Sequence, residues 1–248
     1  MTRASIIAVF LLGVVLAQSG VRLEPFVPDA LSETIKPNPI PEGMADNPVL
    51  PPGAVMIRKC LPSLKNLQIP TDISKAKPDQ AISKRIQAIV DADQAARQKP
   101  LDSKAVLEDQ KRREALMPLI PRAVTANDFA NIGLVFQHGD CVPLFMLANK
   151  MATLAMKLTP TGQKLDSRYE DPYWLYAATL DRALQNSSKA QKFGTQYVSG
   201  WNGECFRLYL VDPRTTDEER AKYHVLPLQK AIARAKELSP PNCKKPTK

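Results

Sequence analysis

Histidine is nearly absent from this chain: His138 and His224 are the only two in 248 residues. Imidazole acid–base chemistry therefore has two possible seats. Glycine is scarce as well, and the ten present form no Gly-x-x-x-x-Gly-Lys-Ser/Thr, Gly-x-Gly-x-x-Gly or Gly-x-Ser-x-Gly loop. Nucleotide-binding, dinucleotide-binding and α/β-hydrolase classes lose support without those loops, and zinc proteases lose it because His-Glu-x-x-His is missing. The four cysteines include no Cys-x-x-Cys pair, so no metal centre is expected, and nothing in the chain implies a cofactor. Aromatic residues make up 6%, and the basic run Lys111-Arg112-Arg113 has none interleaved, which disfavours nucleic acid as a partner.

Long apolar runs are missing too, apart from one at the start. Arg3 precedes the apolar stretch 6–16, and Val15-Leu16-Ala17 offers small residues for cleavage. The stretch is shorter than the about 20 residues that a membrane-crossing helix needs. Met1–Ala17 is expected to be a secretory signal, and the protein to be secreted or periplasmic.

What is present is an excess of positive charge, 34 Lys plus Arg against 25 Asp plus Glu. That balance favours an anionic envelope component or a protein as partner. Residues 18–78 hold eleven of the 22 prolines. Proline removes backbone donors and forbids regular helix, so this segment reads as an extended, proline-rich linker or arm. Its apolar patches at 55–57 and 61–67 leave room for part of it to lie along a following domain. Residues 239–248 form a short basic tail.

Residues 79–238 carry helical signals. Asp79 is placed to cap a helix whose Ile82, Ile86, Ile89 and Val90 share a face, closed by Pro100. Asp102 could cap a second helix over 103–117, with Lys104, Lys111, Arg112 and Arg113 outside. Two apolar helices over 126–138 and 142–158 read as the core. Asp171 and Pro172 start another, running to about Leu184; Thr216 and Glu219 form a capping box; and Pro227 opens a last helix ending near Leu238. The segments 193–198 and 205–211 are rich in aromatic and β-branched residues around turn-forming 199–203, which predicts a β-hairpin. The expected fold is mainly α: a multi-helix domain with one small hairpin, preceded by the arm.

Four cysteines in an exported chain allow two disulfides. Cys141 and Cys205 fall inside the expected domain and Cys60 and Cys243 in its flanks, which favours pairing 141 with 205 and 60 with 243. His138 follows Leu134 and Val135 on an apolar stripe, whereas His224 lies after a short charged helix and reads as exposed. Asp93 and Arg97 have the i, i+4 spacing of a helical ion pair. Asp181 and Arg182 are adjacent, diverge by about 100° on a helix, and so need separate partners. Gly194 would let backbone approach a ligand beside Thr195 and Gln196.

In order along the chain, Asp93-Gln94-x-x-Arg97, Gln137-His138-Gly139-Asp140, Asp181-Arg182, Gly194-Thr195-Gln196 and Leu226-Pro227-Leu228 resemble a bacterial exported family classed as a domain of unknown function. The likeness covers roughly residues 80–238. Where that family reads Gln-His-Ala-Asp and Tyr-Gly-Thr-Gln, this chain has Gly139 and Phe193. The resemblance implies that His138, Asp181, Arg182 and Gln196 form one site, with Asp93, Arg97, Gln137 and Thr195 around it; it implies no reaction. Two readings follow. The polar residues are a buried network inside a binding or interaction module, or His138 is the general base of an envelope enzyme acting on an anionic or polar substrate. In the enzyme reading Asp181 orients the imidazole, Arg182 clamps negative charge and Gln196 stabilises developing charge.

Overall fold

The computed structural model describes residues 76–98, 103–159, 171–199 and 203–244, together with Leu64, 67–70 and Ile73. The expected signal, most of the arm, the Asp102 cap and the hairpin turn 200–202 lie outside these residues. Seven α-helices and one two-stranded sheet are described: α1 Gln80–Ala96, α2 Ser103–Leu116, α3 Ala126–Phe136, α4 Val142–Leu158, α5 Pro172–Asn186, β1 Tyr197–Val198, β2 Arg207–Leu208, α6 Asp217–Lys222 and α7 Leu228–Leu238. A 3-10 turn over Met117–Arg122 joins α2 to α3. The fold is the mainly helical one that the periodicity implies.

Capping sets the starts. Asp79 accepts from the Ala81 and Ile82 amides and takes an ion pair from Arg122, which fixes the entrances of α1 and α3 side by side. Thr125 caps α3 in a reciprocal box with Asp128, and Asp171 caps α5 ahead of Pro172. Thr216 accepts from the Glu219 amide at the start of α6.

The α1 and α3 helices run in the same direction, joined at successive levels by Arg122–Asp79, Asn131–Gln87 and His138–Asp93. α4 packs between α3 and α5. The main core gathers Ile82, Ile86 and Val90 of α1 with Phe129, Ile132, Phe136, Leu144 and Met151. Leu64, Leu67, Ile69 and Ile73 pack on that core. Between α3 and α4 the backbones come so close that a Cβ on Gly139 would stand 2.7 Å from Leu144 Cβ and 2.9 Å from the Phe136 carbonyl oxygen. Glycine is needed there for contact, and α3 ends at Phe136, two residues earlier than its apolar stripe suggests.

The hairpin is shorter than its composition predicts. Only Tyr197–Leu208 and Val198–Arg207 pair as a ladder. Residues 193–196 leave the strand because Gly194 adopts φ +88° and the chain curls around a carboxylate of α5. The Gln191 side chain then fills the gap: its amide donates to the Gln196 and Tyr209 carbonyls and accepts from the Gln196 N–H. α7 packs on β2 through Leu228, Ala231 and Ile232, and the sheet thereby gains the support that a lone hairpin lacks.

Two expectations are corrected. Arg112 and Arg113 are not on the outside of α2; Arg113 is 4% exposed and both point into a charged cluster at the end of α1. The disulfide joins Cys205 to Cys243 with Cα atoms 4.8 Å apart, so Cys141 does not pair with Cys205. The basic tail folds back on the hairpin, where the Cys205 amide donates to the Lys244 carbonyl and the Lys244 amide to Gly203. That return brings Cys243 to Cys205. Cys141 caps α4 against the main core instead and is itself disulfide-bonded.

Non-reducing peptide mapping should recover Cys205 linked to Cys243, which leaves Cys60 and Cys141 as the remaining intramolecular pair. A linked peptide containing Cys141 and Cys205 would contradict the fold of the tail.

Candidate functional site

The candidate residues gather around one turn, 137–139, between α3 and α4. The carbonyls that end a helix have no partner within it, so donors must come from elsewhere. Here they are guanidinium groups. Arg182 of α5 donates to the Gln137 carbonyl at 2.7 Å, and Arg113 of α2 donates to the His138 carbonyl at 3.2 Å. The negative end of the helix dipole adds to the attraction for cations.

The imidazole of the same turn reaches α1. His138 Nδ1 lies 2.7 Å from Asp93 Oδ2. Asp93 also takes Arg97 at 3.1 Å and lies 3.7 Å from the Arg112 Nε. Asp109 of α2 pairs with both Arg97 and Arg112, closing a cluster of two carboxylates and three guanidinium groups with Arg113. The expected Asp93–Arg97 pair is therefore real, but it is buried and serves a histidine.

Burial lowers the His138 pKa below its ordinary value, even though Asp93 pulls the other way. The neutral ring facing a carboxylate must carry its proton on Nδ1, which leaves the lone pair on Nε2. Burial works to raise the Asp93 carboxyl, but His138, Arg97 and Arg112 outweigh it and hold it below the usual carboxylate range. Arg113 is lowered by burial despite the Asp140, Asp109 and Asp93 charges.

On the other side of the turn lies a second set. Arg182 also donates to Gln196 Oε1 at 3.1 Å, and its pKa is lowered to about 10 by desolvation and then by Arg97. Gln196 Nε2 reaches the Ala178 carbonyl and the Thr195 hydroxyl. Asp181, 0% exposed, accepts the backbone N–H groups of Lys192, Phe193 and Thr195 and the Thr195 hydroxyl. Burial pushes its carboxyl up to about 6 against those four donors.

The structure thus brings Arg182, Gln196 and Gln137 together, and Asp181 with Thr195, but it separates the expected couple. All the bonds of Asp181 go to the 192–195 loop, and Asp93, not Asp181, orients His138. Residues that sequence reasoning missed are Asp109, Arg113, Gln191 and Arg220. Arg220 is 2% exposed and ties α6 to the loop through the Phe193 and Thr215 carbonyls. A signal for Asp93 was present: it continues the Ile82, Ile86, Val90 face by three residues. His224 is exposed, as expected, and pairs with Asp171 at 3.1 Å. Among the described residues no three His, Cys, Asp or Glu side chains are grouped as metal ligands.

Searches of family models, curated proteins and solved structures return no match to this chain.

The lowered His138 pKa fixes a pH dependence. Below about pH 6.5 the unfolded histidine takes up a proton that the folded one refuses, so folding loses stability as pH falls. His138→Gln has no such titration. The stability advantage of wild type over His138→Gln, measured by urea unfolding, should therefore shrink from pH 7 to pH 5, by at most about 1.4 kcal/mol per pH unit. An advantage that grows on acidification would mean that the imidazole is held protonated by Asp93.

Proposed function

We propose that the chain is an exported binding or interaction module in which the polar network around His138 holds helices and loop in register. The observation that carries this reading is where the network's bonds lead. Asp93 is 1%, Asp181 0%, Gln196 7% and His138 8% exposed, and the bonds described for them run to backbone carbonyls, backbone amides and neighbouring buried side chains. Buried polar networks fix packing through the bonds they make, and this one makes those bonds while leaving Arg112 Nε and Arg113 Nε without a hydrogen-bond partner. The Cys205–Cys243 disulfide suits an oxidising compartment. No helix among the described residues is long and apolar enough to cross a membrane. The net charge of +9 favours an anionic envelope component or a protein partner. The motifs that resemble the bacterial exported family sit at the junctions of this network, which supports reading them as one unit.

A second reading draws on the 2.7 Å bond between His138 and Asp93. A neutral imidazole whose Nδ1–H is held by a carboxylate has the orientation of a general base. In this reading Asp93 takes the orienting part.

Urea unfolding of the full chain at pH 7, comparing wild type with His138→Gln and Asp181→Asn, separates the two. A structural network loses about 1–3 kcal/mol or more in each variant, because buried partners are left unsatisfied. Unchanged or raised stability in both would sink the structural reading and favour a site kept for a ligand or reaction.

A further inference from the structure

The opposite end of α3 is built differently. A groove of about 400 Å³ lies between the first turns of α1 and α3, lined among others by Gln80, Ser83, Lys84, Asn127, Asp128 and Asn131. That volume falls in the range of about 300–1,000 Å³ that small-molecule sites occupy. Its floor is formed by two side chains almost wholly withdrawn from solvent, Asp128 at 3% and Asn131 at 5% exposure.

Each of them has an oxygen left over. Asp128 Oδ2 accepts the Thr125 N–H at 3.3 Å as part of the helix cap, whereas no described residue donates to Oδ1. Asn131 Nδ2 donates to Gln87 Oε1 at 3.0 Å, and Gln87 in turn is held by Asp91 at 2.8 Å, so the amide is fixed with its oxygen unused. Neither oxygen is among the buried atoms that lack a partner, so both are reached from the groove. Both side chains are more than nine-tenths withdrawn from solvent, yet each presents one solvent-reached acceptor to the groove. Two of them on one wall, at i and i+3 and so about 5–6 Å apart at Cβ, form a recognition surface for a donor-bearing ligand.

The chemistry of the wall narrows the ligand. The Asp128 carboxylate repels anions. A divalent cation needs about six oxygen ligands, and here one carboxylate shares the lining with the Lys84 ammonium, whose charge also disfavours organic cations. Uncharged hydroxyl groups satisfy both conditions, since they donate to Asp128 and Asn131 and accept from Lys84 and the rim amides of Gln80 and Asn127. We infer that this groove binds a neutral polyhydroxylated ligand of the saccharide class, with adjacent hydroxyls donating to Asp128 Oδ1 and Asn131 Oδ1. The inference goes beyond the role of the His138 network and stands whichever reading of that network holds.

Saturation-transfer NMR on the full chain tests it, with glucose, mannose and N-acetylglucosamine and their linear trisaccharides as probes. Transfer from at least one saccharide is expected. Equal binding of monomer and trimer identifies a free sugar as the source, and binding of the trimer alone identifies a glycan chain. Asp128→Asn should weaken binding by roughly tenfold or more, the loss of one charge-assisted hydrogen bond. Because Asp128 also caps α3, Ser83→Trp provides an independent check: it fills the groove from the surface of α1, leaves the cap intact, and should abolish transfer while circular dichroism stays unchanged. No transfer from any saccharide, transfer retained in Ser83→Trp, or a response only to magnesium or methylammonium ions would overturn the inference.

Discussion

The structure depends on how the buried C-terminal end of α3 is satisfied. A helix that stops inside a protein leaves carbonyl oxygens that water cannot reach, and this one stops at Phe136 in the middle of the domain. The solution draws on three other helices. α2 sends Arg113 to the His138 carbonyl, α5 sends Arg182 to the Gln137 carbonyl, and α1 sends Asp93 to the His138 ring. Gly139 then lets α4 leave at a distance that no larger residue would permit. Five helices are thus referred to one turn, and moving α1, α2 or α5 removes a charged hydrogen bond from a buried group.

Guanidinium groups in that position create their own difficulty, because a buried charge is costly unless it is paired. The acidic residues are distributed accordingly. Asp93 and Asp109 stand among Arg97, Arg112 and Arg113, so the cluster carries roughly balanced charge and Arg97 is stabilised in its charged form. Asp181 uses another device: no cation is bonded to it, and four N–H and O–H donors from the 192–195 loop surround it. The loop is thereby wrapped around α5, and Gly194 supplies the left-handed turn that this wrapping needs. Arg220 clamps the outer side of the same loop through the Phe193 carbonyl.

Helix positions were legible in the sequence because their determinants are local. Asp79, Asp171 and Pro172 act within one turn of themselves, and the 82, 86, 90 spacing states which face of α1 is buried. The polar network was only half legible. The family resemblance implied one site of His138, Asp181, Arg182 and Gln196, yet their partners could not be read, since Asp93 and His138 are 45 residues apart and meet only because α1 and α3 run in parallel. The charged run Lys111-Arg112-Arg113 looked like a solvated face because nothing in α2 itself indicates that two of its arginines answer carboxylates and a carbonyl on other elements. The hairpin was overestimated for a related reason: residues 193–196 have strand composition, but the anion on α5 offers their amides a better acceptor than a neighbouring strand does. The cysteine pairing failed because position along the chain does not reveal that the tail folds back over residues 203–205.

The two ends of α3 make opposite use of the same kinds of atom. At its C-terminal end, buried carbonyls and an imidazole are met by donors and acceptors brought from distant elements, and the effect is to fix the packing. At its N-terminal end, Asp128 and Asn131 are nearly as buried, but each keeps one oxygen that no described residue answers. A protein that recruits three helices to satisfy one turn had the means to satisfy these as well, and Lys84 stands at the same groove without bonding either oxygen. Leaving acceptors open where water can enter, and closing them where it cannot, is what separates a surface that receives a ligand from a network that holds a fold.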